Sequence, residues 1–439
     1  MTTHEINVLK THGVARQFQL TTLLRRYGMR HALYSNPKET KMIFRRTLLS
    51  ASIGALIGAS MMLTTQPAFA LGDKTIPIGT VLAMTGSGAY YGKVMTRGEN
   101  LAIDEINNAN AIKGYKLVLH VEDHKSGDAR AANSAMRKLI DIDKTPVVLS
   151  SYGGITLAIQ PLAARQNVLL FNGGGTASTL IGKKNLYNTR MVASQLAPLA
   201  VQWAVQKLGA KKIATIYYTD SSGVEANEAI KNTCKKMGCQ VVDEEPYKLG
   251  STDFSVPLAR VKAAAPDVVI LGSWGADVGH IVKQAKERDI SAKIVGLELL
   301  SNEIKIAGKK MDGYTAIFDS FNPNADNPTT QSFVKAFKKA YGEIPGYYEA
   351  NYYELIKDVL APLIQQTIKA GEDPTKIGVL TAEMEKLVDQ GYQYNSVYGG
   401  KLQLHKDGSV TKPVGVFQVK DGETVPIAHV KDGKFVMAN

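Results

Sequence analysis

From Ile76 onward, short apolar runs rich in β-branched residues alternate with longer runs in which apolar positions recur every three or four residues. Buried strands and amphipathic helices leave those two signatures, so the alternation predicts βαβ units around parallel sheets, an α/β fold. Ile76–Met84 reads as a strand, and Val94–Ile112 as a helix with Leu101, Ala102, Ile106 and Ala109 on one face. Strands are expected at Leu117–Val121, Val147–Ser150 and Val168–Phe171, with helices at Ala129–Ile142 and Thr156–Gln166 between them.

A second series begins after Arg190. It runs helix Ala197–Leu208, strand Lys212–Tyr218, helix Val224–Met237, strand Gln240–Asp243, helix Val256–Ala265, strand Asp267–Ser273, helix Val278–Arg288 and strand Lys293–Leu297. Two such series exceed one ordinary core and predict two Rossmann-like lobes. Long helices around Thr330–Tyr341 and Ala350–Ala370 follow, then strands punctuated by Asp407-Gly408, Asp421-Gly422 and Asp432-Gly433, each a hairpin signal. No long linker separates the halves, so a hinge of several short strands is expected. The expected lobes are 71–192 plus 320–400 and 193–319 plus 401–439.

The N-terminus changes the picture. Arg45 and Arg46 precede an apolar stretch from Leu48 to Leu63, and Pro67-Ala68-Phe69-Ala70 ends it. That is the order of a secretory signal peptide, and the stretch is shorter than the roughly 20 residues of a bilayer span. Residues 1–70 are therefore expected to be a leader cleaved after Ala70, with a periplasmic mature chain. Met42 stands as a natural start, and the arginine pair also fits a twin-arginine signal. The leader holds nine Lys/Arg and two Asp/Glu, so about +5 of the formal +12 remains afterwards. The remaining basic residues are scattered over helix faces, which argues against a nucleic-acid partner. Export would put Cys234 and Cys239 in an oxidising compartment, where a local disulfide and two free thiols are both open; their spacing is not that of metal ligands.

The stretch Ile-Gly-Thr-Val-Leu-Ala-Met-Thr-Gly-Ser-Gly-Ala-Tyr-Tyr-Gly, Ile78 to Gly92, is followed by Gly98 and the Ala102–Asn107 helix. It resembles the opening of the leucine/isoleucine/valine-binding family, the type I periplasmic binding proteins. The resemblance continues through Gln160-Pro161-Leu162-Ala163, Asp253-Phe254, Pro266-Asp267-Val268-Val269 and Gly408 to Val416. It implies a Venus-flytrap fold of two lobes around a small amino-acid-like ligand. It also implies a monomer that delivers this ligand to an ABC permease in the inner membrane, without cofactor, metal or catalytic residues.

Matching positions imply the site. The Asn172-Gly173-Gly174-Gly175-Thr176-Ala177 stretch follows a strand and is expected to open a short helix, so that Gly174 and Thr176 meet an anionic ligand group. Glu298 matches the family's partner for a ligand ammonium, a charge-assisted contact. Tyr91, Trp274 and Tyr348 match aromatic wall residues, and Ser222 lies on the loop after Tyr218 that serves from the second lobe. Where the family has a hydroxyl residue about eight positions before the proline, this chain has Gly153, and the neighbours Ser150, Ser151, Tyr152 and Thr156 are candidates to substitute, with Ser151, Tyr152 and Gly153 expected at the ligand. That departure admits an amide, a modified amino acid or an aromatic acid as ligand.

An enzyme is the rival class. The chain has no HExxH, GxSxG or Walker loop, and Gly173-Gly174-Gly175 lacks the GxGxxG spacing. His120 and His124 lie near Glu122 and Asp123, but i and i+4 on a strand stand too far apart to share a metal. A sensory receptor of the same fold is the third class, which the sequence does not separate from a transport protein.

Overall fold

The computed structural model describes residues 74–438 apart from positions 320 and 432. The expected leader, its cleavage after Ala70 and the start at Met42 lie outside the described residues.

The first sheet comprises β1 (Lys74–Leu82), β2 (Tyr115–Asp123), β3 (Val147–Ser150), β4 (Leu169–Asn172) and β5 (Leu186–Asn188). Its order is β2-β1-β3-β4-β5, all parallel. Every residue of β3 and β4 is buried, which explains their unbroken apolar runs: a parallel strand is covered on both faces. The helices of this half are α1 (Ala89–Asn108), α2 (Ala129–Asp141) and α3 (Gly153–Gln166).

The second half follows with α4 (Ala193–Leu208), β6 (Lys212–Tyr218), α5 (Ser221–Met237), β7 (Gln240–Tyr247), α6 (Ser255–Ala264), β8 (Val268–Gly272), α7 (Ala276–Glu287), β9 (Lys293–Gly296), α8 (Ser301–Ala307) and β10 (Thr315–Asp319). The chain then runs through α9 (Pro328–Tyr341), α10 (Tyr347–Glu354), α11 (Ala361–Lys369) and α12 (Val379–Asp389). A small sheet of β11 (Gln393–Asn395), β12 (Lys401–Leu404) and β13 (Val410–Thr411) comes next. Finally β14 (Val414–Lys420), β15 (Glu423–Lys431) and β16 (Lys434–Met437) complete the second sheet, in the order β16-β15-β14-β10-β9-β8-β6-β7. Its β14, β15 and β16 are antiparallel additions. Asp421 and Gly422 both take positive φ, 52° and 79°, the left-handed pair that a two-residue hairpin turn needs.

The chain passes between the two sheets three times: after β5, after β10 and between β13 and β14. Position 400, expected as a boundary, falls inside the β11–β12 hairpin. The Asp407 and Gly408 carbonyls accept from the Gly182 and Asn188 amides of the first half, so the last passage is at 412–413. The single helix expected over Ala350–Ala370 is α10 and α11 joined by a π turn, Leu355–Leu360. Pro362 follows that turn; lacking an N–H, it cannot serve the carbonyl four residues back, and a wider turn relieves the clash of its ring. α10 packs closely on α1 because residue 98 is glycine: a Cβ there would stand 2.3 Å from the Glu349 carbonyl oxygen. Cys234 and Cys239 form a disulfide between the end of α5 and the start of β7. Among the described residues no helix is long and apolar enough to cross a membrane.

Candidate ligand-binding site

The expected site residues fall just beyond the carboxyl ends of parallel strands, where an open α/β sheet presents loops and helix N-termini to a crevice. From the first sheet, β3 leads into Ser151, Tyr152 and Gly153, and β4 into the glycine loop. Tyr152 has φ 65° and ψ 122°, a backbone state that non-glycine residues hold only when the surroundings enforce it. Its ring packs 5.0 Å from His124 and 6.1 Å edge-on from Tyr91, which lies 5.3 Å edge-on from Tyr348. The glycine loop is packed too tightly for side chains. A Cβ on Gly174 would lie 2.7 Å from that of Ser151, and one on Gly173 would lie 2.9 Å from the Tyr352 ring.

The second lobe closes the other side. A Cβ built on Gly153 would lie 3.8 Å from Ser222 Oγ. Gly275, next to Trp274, leaves room for the Tyr91 hydroxyl, which a Cβ would meet at 2.0 Å. The Ser178 amide donates to the Glu225 carboxylate, and Tyr90 Oη stands 3.3 Å from Ser301 Oγ. The lobes therefore touch across the crevice in a closed arrangement. Trp274 is 8% exposed and Tyr348 4%; the Trp274 carbonyl accepts from the Tyr218 hydroxyl.

At the floor lies a charge cluster. Glu298 is wholly buried, and its Oε2 accepts from Arg190 Nη2 at 3.0 Å and from the Tyr348 hydroxyl at 2.9 Å. Its Oε1 accepts the Gly275 amide at 2.9 Å, and its carbonyl accepts the Tyr314 hydroxyl at 2.8 Å. Arg190 also donates to the Gly174 carbonyl at 3.3 Å and to Tyr348, between the Tyr347 and Tyr348 rings. Burial opposes its charge, but Tyr348, Glu298 and Asp319 outweigh it and hold the guanidinium protonated. Nearby, Glu303 is pushed well above the usual carboxylate range by burial and the Glu298 charge, so that carboxyl keeps its proton. Burial likewise raises the Tyr91 and Tyr348 hydroxyls.

Two expectations change. Thr176 is buried, but the segment after the glycines is a three-residue 3-10 turn, Ser178–Leu180; one short turn carries no helix dipole for an anion, and its first N–H is already taken by Glu225. Ser222 is in the first turn of α5 and not on a loop, with Asp220 capping the helix through the Gly223 amide. Sequence reasoning passed over Arg190, Tyr218 and Tyr314. For Arg190 a signal existed: it is the sole charged residue between Lys184 and Lys207, and a lone arginine in such a run is buried and paired or faces a site.

Two α/β lobes, one built on a parallel and one on a mixed sheet, closed over convergent polar and aromatic side chains have the form of a solute-binding protein. The chain belongs to the periplasmic binding protein family, which it matches over residues 75–424. The Leu/Ile/Val-binding protein homolog 3 of Brucella melitensis is 25% identical, the match covering 80% of this chain and 93% of that one. The branched-chain amino acid transporter substrate-binding protein LivJ of Streptococcus pneumoniae, solved with isoleucine, is 22% identical with a TM-score of 0.72, over 83% of this chain and 100% of its own. A solute-binding protein of an ABC transporter from R. palustris, solved with benzoate, is 20% identical with a TM-score of 0.70, over 81% and 96%. Members of the family are periplasmic proteins that bind small molecules and are not enzymes.

Proposed function

We propose that this chain is the substrate-binding protein of an ABC importer and holds a small organic carboxylate, an amino acid or an aromatic acid, between its lobes. One observation carries the ligand class: two buried donors of the site, Arg190 Nε and Trp274 Nε1, have no acceptor, and Ser151 Oγ beside them has only the Tyr352 hydroxyl. A buried donor left unmade costs about 1–3 kcal/mol, and a carboxylate supplies acceptors for donors of this kind. Ser151 and Arg190 both border Gly174, which makes that corner the anchor. Glu303, which keeps its proton, is turned to Glu298 and presents no anion to the ligand. Tyr91, Tyr152, Trp274 and Tyr348 enclose the rest of the ligand, with Gly153 and Ser222 meeting across its edge and Thr176 behind it.

Glu298 already accepts from Arg190, Tyr348 and the Gly275 amide and shares a hydrogen bond with the protonated Glu303, so an ammonium reaches it by displacing one of these donors. An amino acid fits, and so does an acid without an amine. The isoleucine and benzoate complexes of the two relatives lend support to both classes. The test is thermal unfolding of the chain beginning at Leu71 with L-leucine, L-phenylalanine, benzoate, 4-hydroxybenzoate, benzamide and glucose. Carboxylates should raise Tm and benzamide should not; stabilisation by glucose or benzamide alone would refute the reading. The leader through Ala70 would direct export, the delivered form being a monomer that docks on an inner-membrane permease. N-terminal sequencing of periplasmic material should begin at Leu71, and an uncut leader in the membrane fraction would refute cleavage.

A further inference from the structure

Lys412 lies on the third passage between the sheets and is the sole charged residue between Asp407 and Lys420. Its side chain is fully buried, as is that of Glu354, whose Oε1 stands 2.6 Å from Nζ. Burying an ammonium costs several kcal/mol unless it is paired and hydrogen-bonded. Nζ meets that demand by donating to the Thr189 carbonyl at 3.1 Å, on the first passage, and to Asn351 Oδ1 at 2.9 Å. It also lies 3.9 Å from the centre of the Tyr398 ring.

The bond to Asn351 has a directional consequence. With its oxygen taken by Lys412, the amide must turn its nitrogen the other way, and Nδ2 donates to the Gly173 carbonyl at 2.8 Å and to Thr189 Oγ1 at 3.2 Å. Gly173 opens the loop carrying Gly174 and Thr176. The same helix, α10, is buried at all eight residues and also reaches the second passage. There the Tyr347 hydroxyl donates to Asp319 Oδ2 at 2.8 Å, which accepts the Met191 amide of the first passage at 3.1 Å. One helix thus ties all three passages to the glycine loop.

We propose that Lys412 is a positioning residue for ligand capture: acting through Asn351, it fixes the Gly173 carbonyl to the hinge, so that the loop moves with the bend. Only the meaning of "capture" rests on the function proposed above, since the link itself is testable without ligand. The measurement is amide hydrogen exchange of the ligand-free chain from Leu71 in two backgrounds. One is Lys412→Met combined with Glu354→Gln, which removes both charges together. The other, Asn351→Leu, keeps the ion pair and carries the test if the first does not fold.

In each folded variant, residues 172–177 should exchange about tenfold or more faster, while β6 in the second lobe is unchanged. Combining all three substitutions should add nothing, because one acts through the other. Loop exchange within about twofold of wild type in a folded variant, or effects that add, would overturn the proposal. With benzoate and L-leucine as probes, affinity should fall about tenfold in the same variants. A wild-type chain that binds neither probe speaks against the proposed ligand class alone, and leaves the exchange result to decide the role of Lys412.

Discussion

Arg190 and Glu298 hold each other in place, and either is costly to delete: a buried charge left without its partner costs about 3–5 kcal/mol. Conservative changes separate binding from folding. Arg190→Lys keeps the charge but loses the planar fork that serves Glu298, Tyr348 and Gly174 at once, and it should weaken binding of a carboxylate ligand about 10- to 100-fold by calorimetry. An affinity within about threefold of wild type would remove Arg190 from the anchor. Glu298→Gln keeps the shape and should weaken an amino acid more than an aromatic acid; equal losses would mean that the ammonium makes no use of Glu298. Away from the cleft, Glu99 is wholly buried, receives one bond from Thr80 Oγ1 at 2.8 Å, and is pushed up by burial to about 8. Its folded value lies above its unfolded one, so below about pH 4.5 it contributes no pH dependence. As pH rises toward 8 the unfolded chain ionises first and stability falls. Glu99→Gln should remove this slope, so that its stability relative to wild type rises by roughly 2–4 kcal/mol between pH 5 and pH 8 in denaturant titrations. A constant difference across that range would contradict the assignment.

Strands and helices were legible in the chain, but the starts of several helices were not, and those errors share a direction. α1 begins at Ala89 where apolar periodicity begins at Val94, α3 at Gly153 for Thr156, α4 at Ala193 for Ala197, α5 at Ser221 for Val224, and α10 at Tyr347 for Ala350. Periodicity reports which side chains face a core. The first turns of α1, α3, α5 and α10 face the crevice, so Tyr90, Tyr91, Gly153, Ser222 and Tyr348 carry no core pattern and escape it. The expected site residues came from the family resemblance and not from periodicity, and the structure gathers them at strand ends, which the periodicity does locate. The site's arginine showed only as a lone charge in an apolar run, because its partners Glu298 and Tyr348 are more than 100 residues away in sequence. The disulfide belongs to this scale too. Ser222 sits in the first turn of α5 and Cys234 in the last, about 18 Å apart along the axis at 1.5 Å per residue. Replacing Cys234 and Cys239 by serine should lower Tm by a few degrees and leave ligand affinity unchanged, while a loss of affinity would show that α5 transmits strain to the cleft.

Three short passages join the lobes, and each carries a buried charged group: Arg190, Asp319 and Lys412. A bend confined to these passages moves Trp274 and Glu298 relative to Tyr91 and the glycine loop while each sheet stays intact, which is hinge closure in its usual form. The present arrangement, with Ser178 against Glu225 and Tyr90 near Ser301, is a closed one. Small-angle scattering of the chain from Leu71 tests this most directly. Without ligand, the profile should give a radius of gyration larger than that of the closed structure. At saturation with the carboxylate that raises Tm most, it should contract to match it. Identical profiles in the two conditions, with binding confirmed by calorimetry, would contradict capture by closure.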